Sequence, residues 1–256
     1  MLNIDIFIPI RLNSTRLPKK HLQKINEKPV IEYLFERLEK CHEVRHVIVC
    51  TTDQPTDNEL ITLLEQKNIK YFRGNEKDIL KRFLDAANYF ETDIIVDVEG
   101  DKVFTLPFYV DKIANHLKNN DSDFVIGNDS ITKFNPSNHF IHGISPSGFK
   151  KKALEKICQS KHTDNTDTGY HNFFLNSESI KSTFIPIKTD EFLDKIRLTL
   201  DYPEDLKFAE TVFNQLKNNF SEEELITFFR KNPQLCLITK DLDKKWKLNY
   251  NKLKSC

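Results

Sequence analysis

The sequence has little glycine and lacks the common glycine-rich phosphate-binding loops. Only six glycines occur among its 256 residues, and neither G-x-x-x-x-G-K-[ST] nor G-x-G-x-x-G is present. Both patterns use glycine to bring the backbone close to phosphate groups at the start of a helix. Their absence argues against a P-loop, a kinase-like site and a dinucleotide-binding Rossmann fingerprint.

Paired cysteines are also missing. The five cysteines are odd in number and form no C-x-x-C pair. A disulfide framework or a thiolate zinc site is therefore not expected, and reduced thiols in a cytoplasmic protein fit better.

Neither a long apolar run nor an excess of one charge occurs. No segment approaches the roughly 18 to 20 apolar residues that cross a bilayer, and the N-terminus has the pattern of a first strand and not of a signal peptide. Lys plus Arg and Asp plus Glu each total 38, so no overall field favours nucleic acid or membranes. An anionic ligand would have to be bound by a local group of basic residues.

The first half of the chain alternates short apolar strand patterns with amphipathic helical patterns. This alternation predicts an α/β fold with a mostly parallel, Rossmann-like sheet covered by helices on both faces. We expect a single domain over residues 1–256. The strand patterns cover residues 4–10, 46–50, 71–72 and 93–98, and the helical patterns cover residues 29–40, 56–67 and 78–89.

Residues 128–196 have a different character, because they are polar and lack a long apolar period. They contain half of the eight histidines of the chain. We interpret this segment as a loop-rich insertion that recognises a second substrate and forms a contact in a homodimer. After it, a strand is expected at 197–200 and helices at 203–216 and 221–230.

A basic segment, Arg11 to Lys20, follows the first strand. It holds four cations as well as Ser14 and Thr15, which are the donors that a triphosphate needs. Ligands of parallel sheets bind beyond the carboxyl ends of the strands, where this segment lies. On composition alone, a solvated basic loop would explain it equally well.

Five motifs extend this pattern along the chain. In this order they closely resemble the signature motifs of the cytidylyltransferase family, which includes CMP-Kdo synthetase, acylneuraminate cytidylyltransferases and SpsF-type proteins of spore-coat polysaccharide synthesis. The motifs are R-L-N-S-T-R-L-P-K-K at 11–20, T-T-D at 51–53, R-G-N at 73–75 with D-I-L-K-R-F at 78–83, G-D at 100–101, and R-L-T-L-D-Y-P-E-D-L at 197–206.

The resemblance implies that the Rossmann-like sheet is of the nucleotide-diphospho-sugar transferase type, with a site for CTP and Mg²⁺. It implies catalytic roles for Arg11, Lys20 and Asp101, and a magnesium site formed by Asp101 and Asp201, whose carboxylates suit a hard cation. For Asp201 alone, capping of the helix that begins at Pro203 is the competing explanation. The nucleotide-binding residues implied are Arg11, Ser14, Thr15, Arg16, Lys20, Thr52, Gly74, Asn75, Arg82 and Gly100.

The chain departs from the family pattern near the expected acceptor. Lys19 stands where the family usually has glycine, and Lys102-Val103-Phe104 follows the Gly-Asp motif. Asp97 occupies the place of an arginine of SpsF-type proteins, and 167–172 takes the place of their Arg-Glu-His-Val-Thr. We expect the acceptor, through a carboxylate or a polyol, to contact His142, Lys150 and His171.

These observations predict a cytidylyltransferase that moves CMP from CTP to a sugar or sugar acid for surface polysaccharide synthesis. Two enzymatic alternatives on the same fold are an NDP-sugar pyrophosphorylase and a glycosyltransferase. The Asp121-Ser122-Asp123 motif that would indicate the latter precedes a strand pattern instead of following one. A third alternative is a non-catalytic homologue that binds a nucleotide sugar.

Overall fold

A seven-stranded sheet forms the centre of the protein, in the strand order β5-β4-β1-β6-β8-β7-β9. The computed structural model describes residues 2–127, 141, 143–187, 192–193, 196–239, 241–242 and 245–246. The strands are β1 (Ile4–Pro9), β2 (Lys24–Ile25), β3 (Lys28–Pro29), β4 (His46–Thr52), β5 (Lys70–Gly74), β6 (Ile94–Asp97), β7 (Phe124–Gly127), β8 (Ser147–Lys150) and β9 (Ser182–Ile185). Strands β2 and β3 form a separate two-stranded sheet.

The sheet is parallel except at one strand. Strands β4, β1 and β6 pair in parallel, with Phe7 opposite both Ile48 and Asp97. Strand β8 runs antiparallel to β6 and β7, so that Ser147 at its start lies opposite Asp97 at the end of β6. The prediction of a mostly parallel sheet is confirmed.

Helices cover both faces of the sheet. Alternate residues of β1 point to opposite sides, as the strand geometry requires: Ile6 and Ile8 belong to one apolar cluster and Phe7 to another. The first cluster includes α1, α2, α4, α7 and α8, and the second includes α3, α5 and α6. The helices are α1 (Val30–Leu38), α2 (Asn58–Gln66), α3 (Ile79–Tyr89), α4 (Pro107–Asn119), α5 (Lys151–Ser160), α6 (His171–Leu175), α7 (Pro203–Leu216) and α8 (Glu222–Lys231).

The segment predicted as a loop-rich insertion is part of the sheet. Residues 128–196 include β8 and β9, as well as α5 and α6. Both strands have only four residues and lack an apolar run, so their sequence carries no strand signal. Gly148 lets β8 pack closely, since a Cβ there would lie 2.5 Å from Cγ2 of Ile113 in α4.

The predicted strand at 197–200 is wrong. Among these residues only Arg197 makes an isolated bridge, although Leu198 and Leu200 are buried. The backbone N–H of Leu200 donates to the carbonyl of Asp101 at 2.9 Å, which fixes this extended segment beside the loop that follows β6. Helix α4 has no counterpart among the predicted elements. Within the part of the chain that is described, no helix is long and apolar enough to cross a membrane.

Candidate active site

A cavity of about 660 Å³ opens at the carboxyl ends of β1 and β6. Ligands of parallel sheets bind at this edge. Its lining comes from four parts of the chain: the end of β1 with the loop after it, the turn after β6, helix α3, and the chain before α6. The lining residues are Pro9, Ile10, Arg11, Asn13, Ser14, Thr15, Arg16, Lys20, His21, Ile79, Arg82, Glu99, Gly100, Asp101, Asp167, Thr168 and Tyr170.

The loop after β1 is fixed by a buried carboxylate, Asp57. Its Oδ1 accepts the backbone N–H of Leu12 at 2.8 Å. Its Oδ2 accepts the hydroxyls of Thr51 at 2.9 Å and Thr52 at 2.5 Å. Near the other end of the loop, Lys19 adopts the left-handed conformation with φ 49°. Glycine enters this conformation without a steric penalty, which explains why the family pattern has glycine there.

Two aspartates from distant parts of the chain meet at Lys20. The Nζ of Lys20 lies 2.8 Å from Oδ2 of Asp101 and 3.4 Å from Oδ1 of Asp201. Nη2 of Arg16 also donates to Oδ1 of Asp201 at 2.5 Å. Burial acts to lower the pKa of Lys20, but the two carboxylates outweigh it and raise that pKa. Burial acts to raise the pKa of Asp101, and Lys20 reverses this and lowers it.

The buried side chain of Arg197 holds the carboxylate of Asp201 in place. Nη2 of Arg197 donates to Oδ2 of Asp201 at 2.7 Å, and its Nη1 donates to Oδ1 of Asp205 at 2.6 Å. Asp205 accepts the backbone N–H groups of Asp201 and Tyr202 with its other oxygen, both at 2.9 Å. The start of α7 is therefore capped by Asp205, and the side chain of Asp201 points to Arg16 and Lys20 instead. Helix capping does not account for Asp201.

His21 lies beneath Lys20 and is almost fully buried. Burial and the charge of Lys20 lower its pKa to about 3, so its ring is neutral at pH 7. It packs against Gly100, where a Cβ would lie 3.0 Å from Nε2 of His21 and 2.7 Å from Cγ1 of Ile10. Gly100 therefore permits the close approach of the turn after β6 to the loop after β1.

Asp97, at the end of β6, is the centre of a buried hydrogen-bond group. Its Oδ2 accepts from Nε2 of His171 at 2.7 Å, from the Tyr170 hydroxyl at 2.9 Å and from the Ser147 hydroxyl at 3.2 Å. Burial and the charge of Asp97 raise the pKa of Tyr170 well above its ordinary value. Nδ1 of His171 lies 3.8 Å from Oε1 of Glu99.

Asp97, Glu99 and His171 also have ligand atoms within 4.8 Å of one another, close enough to surround a metal ion. The Asp97 oxygen that faces the histidine already accepts three hydrogen bonds. We therefore assign no metal to this group.

Two arginines, Arg11 and Arg82, also line the cavity. Arg11 forms an ion pair with Asp167 across the opening. Arg82 in α3 is buried, and its Nη1 donates to the carbonyl of Asn75 at 2.6 Å. Burial lowers the pKa of Arg82. Its Nε has no hydrogen-bond partner among the described residues.

The structure brings most of the predicted nucleotide-binding residues together. Thr52, Gly74 and Asn75 do not line the cavity. The hydroxyl of Thr52 binds Asp57, and Oδ1 of Asn75 accepts the N–H of Asp78 at 2.8 Å in the turn before α3. The predicted residues that line the cavity are Arg11, Ser14, Thr15, Arg16, Lys20, Arg82, Gly100 and Asp101.

The three predicted acceptor residues lie in different places. His171 adjoins Glu99 beside the cavity. Lys150 lies opposite Ile94 at the start of β6, so it is at the other edge of the sheet. There its Nζ donates to the carbonyl of Asn120 at 3.1 Å, and we withdraw it as an acceptor ligand. His142 lies outside the described residues.

Sequence reasoning missed several residues of the site. Glu99, Tyr170 and His21 line the cavity, while Arg197 holds Asp201 in place. The only available signal was position: Glu99 and His21 adjoin predicted ligands, and Arg197 opens the last motif.

The aspartate pair fits a hard cation. Oδ1 of Asp101 is buried and has no hydrogen-bond partner within the described part of the chain. An unpaired carboxylate oxygen is a ligand that Mg²⁺ prefers, and Mg²⁺ usually takes one or two carboxylates together with substrate oxygens. Both oxygens of Asp201 are engaged by Arg16, Lys20 and Arg197. Asp201 would therefore join a metal only after Arg16 and Lys20 move toward phosphate.

The fold and the site together define a nucleotidyltransferase. Residues 6–226 match the family described as Cytidylyltransferase, and the chain belongs to this family. A cytidylyltransferase from Leptospira borgpetersenii has a solved structure that superposes with a TM-score of 0.81 at 26% identity, covering 92% of this chain and 97% of that one.

Two further relatives agree with this assignment. The spore coat polysaccharide biosynthesis protein SpsF of Bacillus subtilis is 22% identical over 242 residues, which cover 91% of this chain and 96% of SpsF. The structure of CMP:2-keto-3-deoxy-manno-octonic acid synthetase complexed with CTP has a TM-score of 0.65 at 16% identity, covering 83% of this chain and 99% of that one. The family resemblance seen in the motifs is confirmed.

Proposed function

We propose that this enzyme transfers CMP from CTP to a sugar or sugar acid, with release of pyrophosphate, in the synthesis of a surface polysaccharide. The observation that carries the proposal is the group of Arg16, Lys20, Asp101 and Asp201, where cations for a triphosphate lie against carboxylates for a metal. The CTP complex of the octonic acid synthetase supports cytosine as the base. The name of SpsF supports a polysaccharide product.

The loop after β1 would bind the triphosphate. Arg11, Arg16 and Lys20 supply positive charge, and Ser14 and Thr15 supply hydroxyl donors at the same cavity wall. In the structure Arg16 and Lys20 pair with the aspartates. CTP with its metal would separate these pairs, because the phosphates attract the cations while the metal attracts the carboxylates.

Asp101 and Asp201 would hold Mg²⁺. When bound, it supplies positive charge that neutralises phosphate oxygens and makes an acceptor hydroxyl more acidic. The protein's own residues Lys20 and Arg16 would hold the α-phosphate between them while the acceptor oxygen approaches in line. The acceptor hydroxyl would lose its proton to solvent, its oxygen would form a bond to the α-phosphorus, and the bond from the α-phosphorus to pyrophosphate would break, so that CMP is joined to the acceptor and pyrophosphate leaves.

The test compares the four nucleoside triphosphates. Calorimetric titration in the presence of Mg²⁺ should give clearly tighter binding of CTP than of ATP, GTP or UTP, because a site that hydrogen-bonds one base leaves buried groups unpaired with another. Pyrophosphate release should then require an acceptor. Equal affinities would favour an NDP-sugar pyrophosphorylase, and tight CTP binding without pyrophosphate release would favour a non-catalytic homologue.

Location and assembly are further parts of the proposal. The described cysteines Cys41, Cys50, Cys158 and Cys236 are free, which supports a reducing, cytoplasmic compartment. A homodimer contact through the 128–196 segment can be tested by light scattering of the purified protein. A monomer at all concentrations would remove that part.

A further inference from the structure

The acceptor side of the cavity is acidic, and two hydroxyl donors beside it, those of Ser147 and Tyr170, already bind Asp97. We call the residues Asp97, Glu99, Ser147, Tyr170 and His171 the β6 wall, since they surround the carboxyl end of β6. This inference rests on the proposed nucleotidyl transfer and concerns which acceptors the same cavity takes.

The acceptor has to contact the β6 wall by elimination. The cations of the loop after β1 occupy one side of the cavity and suit the triphosphate. In-line attack requires the acceptor to approach opposite the departing pyrophosphate. Outside β1 and the loop after it, the lining consists of Ile79 and Arg82 of α3, the turn Glu99, Gly100 and Asp101, and Asp167, Thr168 and Tyr170.

The donors of the β6 wall all point at one buried oxygen. The hydroxyls of Tyr170 and Ser147 and Nε2 of His171 converge on Oδ2 of Asp97. The hydroxyl protons of Tyr170 and Ser147 are therefore directed to Asp97 and not to a ligand. The other ring nitrogen of His171, Nδ1, lies 3.8 Å from Oε1 of Glu99.

The group of the wall that faces the cavity is an acceptor. Glu99 lines the cavity with its side chain 32% exposed. The nearest cation, Lys102, lies 3.4 Å from Oε1 of Glu99, and its own side chain is only 16% exposed. On the adjacent segment, Asp167 forms an ion pair with Arg11. Arg82 is one of the nucleotide-binding residues that the family resemblance implies. A carboxylate ligand needs donors, and the described part of this wall offers acceptors.

We infer that the β6 wall selects acceptors that present hydroxyl or ammonium groups to Glu99, and disfavours acceptors that present a carboxylate there. Neutral polyols, neutral sugars and amino sugars share this donor chemistry. Sugar acids place a negative charge against the carboxylates of Glu99 and Asp97. The SpsF-type pattern has an arginine at the position of Asp97, so the charge of the wall differs from that pattern.

The test measures sugar binding directly, so that it does not depend on turnover. Protein saturated with Mg²⁺ and a non-hydrolysable CTP analogue is titrated with glucose, glucosamine and glucuronic acid, and with mannose, mannosamine and mannuronic acid. Within each set the amino sugar differs from the neutral sugar at C2 and the acid differs from it at C6. We expect the amino sugar or the neutral sugar to bind at least tenfold more tightly than its acid. Pyrophosphate release with the same sugars, free and as 1-phosphates, should follow the same order.

Glu99→Gln supplies a signature that a purely structural role would not give. The amide keeps the shape but offers a donor, so the preference for glucosamine over glucuronic acid should fall at least fivefold while the Kd for the CTP analogue stays within twofold. Glu178→Gln, at an exposed glutamate of the surface, is the matched control and should change neither. A sugar acid that binds more tightly than its neutral counterpart, or a Glu99→Gln protein that weakens all sugars equally, would overturn the inference. Failure to bind CTP would instead count against the proposed function.

Discussion

The ammonium group of Lys20 lies 2.8 Å from Oδ2 of Asp101, although 81 residues separate them in the sequence. Each partner shifts the other's pKa, since that of Lys20 is raised and that of Asp101 is lowered. Because the pKa of Lys20 is raised, this lysine stabilises the folded protein at pH values below the ordinary lysine pKa of about 10. Because the pKa of Asp101 is lowered, this aspartate stabilises the folded protein at pH values above the ordinary aspartate pKa of about 4. The pair should stabilise the protein between these limits and lose that effect outside them.

The first prediction concerns the basic loop. Arg16→Ala and Lys20→Ala should each lower kcat/KM for CTP by about ten- to a hundred-fold, because a charge-assisted contact contributes about 1.5 to 3 kcal/mol. Steady-state kinetics over a CTP series measures this. Lys24→Ala, in the exposed hairpin at β2, is the control and should behave like the wild type. Normal kinetics in both variants would show that the loop is solvated surface and does not bind CTP.

The second prediction concerns acid stability through His21. Its pKa falls from the ordinary histidine value of 6.5 to about 3 in the folded protein, so the unfolded chain takes up a proton that the folded protein does not. The free energy of unfolding should fall by about 2 kcal/mol between pH 7 and pH 5 from this residue alone. Urea titrations at both values measure the difference.

In a His21→Gln variant this component should vanish, so its loss of stability between pH 7 and pH 5 should be smaller than that of the wild type. His42→Gln removes an exposed histidine and should leave the wild-type pH profile. Parallel profiles for wild type and His21→Gln would show that His21 is not held neutral by the fold.

The third prediction concerns Lys19. Its φ of 49° lies in the left-handed region, which costs a residue with a side chain about 1 to 2 kcal/mol. Glycine removes this strain, but its greater conformational entropy stabilises the unfolded chain by about 0.4 to 1 kcal/mol. Lys19→Gly should therefore raise Tm by about 1 to 2 °C without lowering kcat/KM.

A matched change at Lys24, whose φ is not positive, should have the opposite sign. Lys24→Gly relieves no strain and adds only unfolded-state freedom. Differential scanning calorimetry of the two variants and the wild type measures the sign of each change in Tm. Lys19 also forms an ion pair with Glu59, and a lower Tm for Lys19→Gly would show that this ion pair outweighs the backbone strain.

The sheet and the phosphate loop could be predicted because their signals are local. Strands β1 and β4 are rich in buried apolar residues, and the basic residues that follow β1 lie close together in the sequence. Strands β8 and β9 could not be predicted, because their burial depends on pairing with β6 and β7 and not on their own side chains. For such segments, contacts with residues distant in the sequence determine whether a strand forms.

The site shows the same division. The motifs predicted Lys20, Asp101 and Asp201 as neighbours, but not that Arg197 fixes Asp201 from below. The role of Asp97 depends on Tyr170 and His171, which are distant in sequence and meet it only through the antiparallel placement of β8 and the position of α6. No spacing rule could have joined them.

The last prediction concerns the metal. Asp101→Asn and Asp201→Asn should each nearly abolish pyrophosphate release, because an amide keeps the shape but loses the charge that Mg²⁺ requires. If both serve one ion, the double variant should be about as inactive as either single variant. EDTA should abolish wild-type activity, and Mg²⁺ should restore it. Asp121→Asn, at a side chain that is 96% exposed, is the control.

The stabilities of these variants should differ, which separates a metal role from a structural one. Asp201 is buried against Arg197, so Asp201→Asn should lose about 1.5 to 3 kcal/mol, the range for a hydrogen bond to a charged group. Asp101 has one oxygen without a partner among the described residues, so its variant should lose less stability while losing as much activity. Urea titrations beside rate measurements test both. An Asp101→Asn enzyme that turns over normally would remove this carboxylate from the metal site, and normal turnover by a destabilised Asp201→Asn enzyme would leave Asp201 with only its contact to Arg197.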